Sequence, residues 1–154
     1  MKLIQRNRDA AYLQYDKYVD FDNPMVMEKA MDLTKNCRSV YEKIETIYYF
    51  VRDEIDHTWD AKDSTITISA SDVLEKKTGI SYSKANLLAA LMRANGIYTG
   101  FCYQRIKRFT YDNKLALHAL NAVFEPDVKK WIRLDARGNN YQFQACLLYT
   151  SDAA

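Results

Sequence analysis

The chain changes character at Gly96. Before it, apolar residues recur with the period of a helix; after it, they alternate as they do in strands. Ser39 is a good N-cap with Glu42 three residues on, and Val40, Ile44, Ile47, Tyr48, Val51 and Ile55 form one stripe over four turns. Asp22-Asn23-Pro24 reads as another helix start, with its helix running from Met25 to about Asn36. Ser71-Asp72 opens a short helix that ends at Gly79. The next helix spans about Ser81 to Asn95, and Leu87, Leu88, Leu91 and Met92 make it a central, buried one. Ser64 to Ser69 alternates polar and β-branched residues and reads as extended. Ile97 to Ile106, Leu115 to Phe124 and Lys130 to Leu134 read as strands. Helices first and an antiparallel sheet after give an α+β class, with the central helix packed on the sheet.

The 154 residues suffice for one domain with a real core. The net charge is +2, Lys and Arg are dispersed, and the pairs Lys76-Lys77 and Lys129-Lys130 are too short to line a groove, which argues against a nucleic-acid partner. No stretch approaches the ~20 apolar residues of a membrane span. The polar start, Met1 to Arg8, has no signal-peptide core. Cys37, Cys102 and Cys146 lack metal-ligand spacing, and an odd, scattered set fits a reducing cytoplasm. His57 and His118 are the only histidines, too few for a His-based metal site. The expectation is a cytoplasmic protein without metal or membrane partner. The last nine residues, Cys146 to Ala154, resemble the translation of a sequencing-library adapter. We therefore expect a single domain over 1–145, truncated at its C-terminus, and a non-native tail over 146–154 without designed packing partners.

Three positions suit chemistry. Ser81, in Thr78-Gly79-Ile80-Ser81-Tyr82-Ser83-Lys84, stands at a helix N-terminus. Unpaired N–H groups and the positive dipole end favour an anion there, and can stabilise the oxyanion of acyl transfer. His118, in His118-Ala119-Leu120-Asn121-Ala122-Val123, and Asp135, in Trp131-Ile132-Arg133-Leu134-Asp135-Ala136-Arg137-Gly138-Asn139, lie on successive strands. A hairpin turning about Pro126-Asp127 sets Phe124 against Lys129, Ala122 against Trp131, Leu120 against Arg133 and His118 against Asp135. Directly opposed residues share a face, with Cβ atoms ~4.5–5.5 Å apart. The carboxylate then reaches the imidazole N–H and fixes its tautomer. On spacing alone, a surface ion pair is the competing reading.

From about Phe21 to Asn140 these motifs resemble the core of the bacterial transglutaminase-like (papain-like) family. The resemblance implies a Cys nucleophile at the helix start, then His, then Asp on later strands. Residue 81 would attack a carbonyl, His118 would carry the proton, and Asp135 would orient His118. It implies acyl transfer or amide hydrolysis on a peptide or protein amide, with no metal or organic cofactor. The family spans proteases, cross-linkers, deamidases and deglycosylating enzymes. The departure is Ser81, since a hydroxyl ionises far less readily than a thiol, although Ser–His–Asp triads work on other folds. Three readings stay open at this stage: a natural loss of catalysis that leaves a peptide-binding or scaffold module, an engineered substitution, or a working serine nucleophile. Transglutaminases place a Trp at the oxyanion hole, which makes Trp59 a candidate donor; packing under its loop is the alternative. Tyr82, Tyr103 and Gln104 are candidates to line the cleft, against a packing role. His57 reads as a loop or surface residue. Cys102 reads as a small buried hydrophobe, able to replace the thiol only if it faces His118.

Overall fold

Asn23, Ser39 and Ser69 each open a helix in the computed structural model, which describes residues 9–107, 114–139 and 147–149. Helix α1 (Pro24–Thr34) begins where Asn23 Oδ1 accepts the Met25 N–H, with Pro24 at the first position, where an N–H is dispensable. Helix α2 (Val40–Asp53) begins where Ser39 Oγ accepts the Glu42 N–H. The Glu42 carboxylate turns back to the Arg38 N–H rather than to Ser39, one residue away from a full capping box. The full box forms at Ser69 and Asp72, which starts α3 (Ala70–Lys76) ahead of the Ser71-Asp72 start read from sequence. That helix also ends before Gly79, because Lys77 takes the left-handed C-cap conformation (φ 57°).

Gly79 lies instead in β2 (Thr78–Gly79), paired in parallel with β1 (Asp56–His57). Its missing side chain permits a close approach, since a Cβ there would fall 2.6 Å from Ser83 Oγ. Residues 64–68, expected to be extended, join no ladder. The Thr67 hydroxyl supplies their anchorage, donating to Thr78 O and contacting Ser83 Oγ.

Helix α4 (Ser81–Ala94) is the centre of the molecule. Leu87, Leu88, Ala89, Ala90, Leu91 and Met92 are all without exposure, so the helix is covered on every side. It packs on α1, α2 and α3 and on a four-stranded antiparallel sheet. The sheet consists of β3 (Thr99–Lys107), β4 (Leu115–Glu125), β5 (Lys130–Leu134) and β6 (Leu147–Tyr149), in the order β3-β4-β5-β6. Asn121 ties β4 to α4 by donating to Ala85 O at 3.1 Å. The architecture is α+β. No helix among the described residues is long and apolar enough to cross a membrane. Within the tail, Leu147–Tyr149 pair with Ile132–Leu134 as the last strand. A free sheet edge offers backbone donors and acceptors to any extended segment, whatever its side chains. The rest of 146–154 lies outside the described residues.

The β4–β5 register also differs from the symmetric count, by two residues. Phe124 opposes Trp131, and Ala122 opposes Arg133. The cause is Glu125, 2% exposed, whose carboxylate accepts the N–H groups of Val128 (2.7 Å) and Asp127 (3.3 Å). It closes a four-residue loop, with Lys129 at φ 52°. Trp131 then lies against Phe124, ring centroids 5.6 Å apart. A slip of two keeps every side chain on its own face. Asp135 therefore stays in phase with His118, now diagonal to it rather than opposite.

Replacing Glu125 by Ala removes both carboxylate bonds from this turn. We expect a loss of about 1–3 kcal/mol in urea unfolding with an unchanged m-value. An unaltered midpoint would show that chain geometry alone holds the turn.

Candidate active site

Strand β2 runs straight into α4 through Ile80, which is extended and supplies no side-chain cap. Ser81 therefore occupies the first helical position, among N–H groups that no side chain has satisfied. Ser83, two residues on, is buried and fixed, donating to Ile80 O at 3.2 Å with Thr67 Oγ1 3.1 Å from its hydroxyl. Ser81 is partly exposed, and its Oγ makes no hydrogen bond among the described residues.

His118, 7% exposed, has Nε2 at 2.7 Å from Asp135 Oδ2. A carboxylate only accepts, so the ring proton sits on Nε2 and Nδ1 is left as the basic nitrogen. Asp135 is held from three sides. Its Oδ1 accepts the Arg137 N–H at 3.0 Å, its Oδ2 faces His118, and its carbonyl accepts from the Tyr48 hydroxyl at 3.2 Å. The Arg137 guanidinium grips Asp60, the residue after Trp59, with two bonds, 2.8 and 3.1 Å.

Helix and sheet meet beside this pair. The Tyr82 hydroxyl donates to Leu117 O at 3.0 Å, a bond between the chain neighbours of Ser81 and His118. The Tyr103 ring lies 6.2 Å from that of Tyr82. Both rings are partly solvent-facing, at 37% and 55% exposure, so neither is a core residue. Gln104 is directly opposite His118 and shares its face. Trp59 is 69% exposed on a tight turn, which rules out packing beneath its loop. Thr58 N–H bonds Gly79 O at 3.2 Å, so that turn runs alongside the approach to Ser81.

Two residues depart from their sequence reading. His57 is half-buried, pairs with Gly79, and has a buried Nδ1 with no hydrogen-bond partner among the described residues. Burial is the main force that pulls its pKa down to about 4, helped by the charges of Arg137, Lys84 and His118 and opposed by Asp60. It is a neutral imidazole near pH 7 and a poor base. Cys102 opposes Leu120, which puts it on the face of Gln104 and His118 after all. Burial raises its thiol pKa, so it remains un-ionised there. Among the described residues, no group of three His, Cys, Asp or Glu side chains is gathered to hold a metal ion. The Arg137–Asp60 pair and the buried Lys84 have no motif that marks them in sequence; only the fold brings them to the site.

The neutral His57 has a pH consequence. Its folded pKa of about 4 lies below the ordinary 6.5, so between these values the unfolded chain binds a proton that the folded chain refuses. Stability from this group is present above pH 6.5 and is lost as pH falls toward 4. The expected loss is about 2–3 kcal/mol, reduced for partial exposure. Denaturant titrations of His57→Gln should show an acid limb shallower by that amount; parallel acid limbs would contradict the assignment.

The family model for the transglutaminase-like superfamily matches residues 28–136, most of the chain. A candidate cysteine protease from Cytophaga hutchinsonii superposes with a TM-score of 0.67 at 22% identity, over 84% of this chain and 42% of that one. The periplasmic domain of TgpA from Pseudomonas aeruginosa, bound to ethylmercury, gives 0.62 at 17% identity, over 83% of this chain and 48% of that one. A candidate protease from Parabacteroides distasonis gives 0.51 at 13%, over 96% and 35%. At these identities the likeness is one of fold, and the chain spans less than half the length of each of these proteins. No curated protein matches it. The matched segment begins in α1, contains Ser81 and His118 and ends one residue past Asp135, and by that match the chain belongs to the transglutaminase-like superfamily.

Proposed function

We propose that this is an amide-directed acyl-transfer domain in which Ser81 occupies the nucleophile position and, as a serine, impairs turnover. The observation that carries the reading is the 2.7 Å bond from His118 Nε2 to Asp135 Oδ2, beside the uncapped start of α4. In this scheme the side chain of residue 81 attacks the carbonyl carbon of a peptide or protein amide, and its proton passes to His118 Nδ1. The uncapped N–H groups of α4 take the oxyanion, with the Trp59 indole as a second donor. His118 returns the proton to the leaving nitrogen as the C–N bond breaks, and an acyl group stays on residue 81. Water releases it in hydrolysis, or a second amine in transamidation. Asp135 keeps the proton on Nε2 throughout. Tyr82, Tyr103 and Gln104 line the substrate's approach. The scheme uses no metal or organic cofactor. Among the described residues, Cys37 and Cys102 are free thiols, which suits the reducing cytoplasm we assign to it.

A second reading rests on Ser81 itself. Without a thiol, the same cleft would hold a peptide and not cut it, as a binding or scaffold module.

The test restores the sulfur. In Ser81→Cys, the thiol at position 81 should be alkylated by iodoacetamide well below pH 8. His118→Ala in that background should slow labelling at pH 6.5 by roughly ten- to fifty-fold, the change in thiolate fraction as the pKa moves from about 6.5 to about 8.5. Mass spectrometry must read position 81, because other cysteines react too. A thiol that titrates like free cysteine and ignores His118 would leave the binding-module reading. Ester hydrolysis by the unmodified protein, abolished by Ser81→Ala, would instead show a working serine.

A further inference from the structure

Among the described residues, the most deeply buried cation is one that the scheme above does not use. Lys84 lies one turn into α4 from Ser81 and has no exposed surface. A buried ammonium is costly unless its charge and donors are matched. Among the described residues no carboxylate pairs with it. Its three N–H donors meet three backbone carbonyls, those of Ile55, of Arg137 at 3.0 Å and of Arg52 at 3.4 Å.

Each carbonyl belongs to a segment of the site. Arg52 lies in the last turn of α2, the helix whose Tyr48 holds the Asp135 carbonyl. Ile55 leads into β1, which flanks Gly79 and carries the chain to Trp59. Arg137 is the residue whose own N–H holds Asp135 Oδ1. We propose that Lys84 is a positioning residue, an internal clasp that fixes the Asp135–Gly138 turn and the α2–β1 corner to the first turn of the helix carrying Ser81. The role rests on the reading of positions 81, 118 and 135 given above.

Gly138 fits the same device. Its φ is +112°, and a Cβ there would stand 3.4 Å from Arg52 O and 3.6 Å from Lys84 Nζ. Only a glycine lets this turn close on the ammonium without strain. The charged groups that Lys84 faces are Asp56, Arg137, Asp53 and Asp135. Burial brings its pKa down to about 8, so at pH 7 the clasp still carries its charge and all three donors.

The test uses the full chain with Ser81→Cys. Lys84→Met fills the space but supplies no donor. Two readouts follow: alkylation of the thiol at position 81 at pH 6.5, and solvent exchange of the His118 Nε2–H proton by NMR. The second needs no nucleophile at all. Once the far-UV spectrum and a cooperative melt establish that the variant is folded, we expect alkylation about ten-fold slower and exchange about ten-fold faster. A lysine that only stabilises the fold would lower the melting temperature and move neither readout, and that result overturns the proposal. Should Lys84→Met fail to fold, Gly138→Ala disturbs the clasp while keeping the lysine, and it should move both readouts in the same directions. If Gly138→Ala leaves both unchanged, the proposal is wrong. If the parent thiol is ordinary while Lys84→Met still frees the His118 proton, the clasp stands and the acyl-transfer reading falls.

Discussion

A helix that is apolar around its whole circumference has to be surrounded, and α4 sets this condition for the rest of the chain. Its core positions are without exposure. Helices α1, α2 and α3 cover part of it, and β3 and β4 cover another part. Ala85, Ala89 and Ala90 keep those layers close, and Asn121 can reach the Ala85 carbonyl from β4. The consequence for function is geometric. The end of such a helix emerges at the seam between layers, so its N-terminus is bordered by both. Ser81 sits at that end, and the Tyr82 hydroxyl bridges the seam to Leu117. Uncapped helix N–H groups would be wasted at an ordinary surface; at a seam they face whatever the sheet presents.

Buried polar groups fix what lies on the sheet side. Glu125 caps the β4–β5 turn through two N–H groups. Arg93 donates to Thr99 O twice and to Gln14 O, which ties the end of α4 to β3 and to the N-terminal segment. Lys84 spends its three donors on three carbonyls. In each case a charged side chain satisfies main-chain groups where the chain leaves regular structure, which is where backbone polar groups would otherwise go unpaired. Glu125 sets the register of the strand that leads to Asp135, and Asp135 locates the proton of His118.

Most of the architecture is legible in the sequence, because it follows from periodicity. The stripe from Val40 to Ile55, the apolar run at Leu87 to Met92, and the strands after Gly96 each depend on local pattern and appear where the pattern puts them. Details governed by a single side chain are not legible in this way. Lys77 ends α3 in a conformation that glycine usually supplies, so Gly79 misleads as a helix stop. Glu125 shifts the hairpin by two residues, which symmetric counting from Pro126-Asp127 cannot foresee. The face of Asp135 survives that error only because two is the period of a strand. Burial of His57 and the alignment of Cys102 with His118 depend on long-range pairing, and neither residue's neighbours in sequence announce it.

The central claim is that helix start, histidine and aspartate form one unit at the seam. A crystal structure of the unmodified chain, read at the distance from Ser81 Oγ to His118 Nδ1, tests it most directly. The account predicts a separation of about 3–4 Å, directly or through one water, with His118 Nε2 still on Asp135. A Ser81 side chain turned away from the imidazole, or a protein donor occupying Nδ1 in its place, would contradict it.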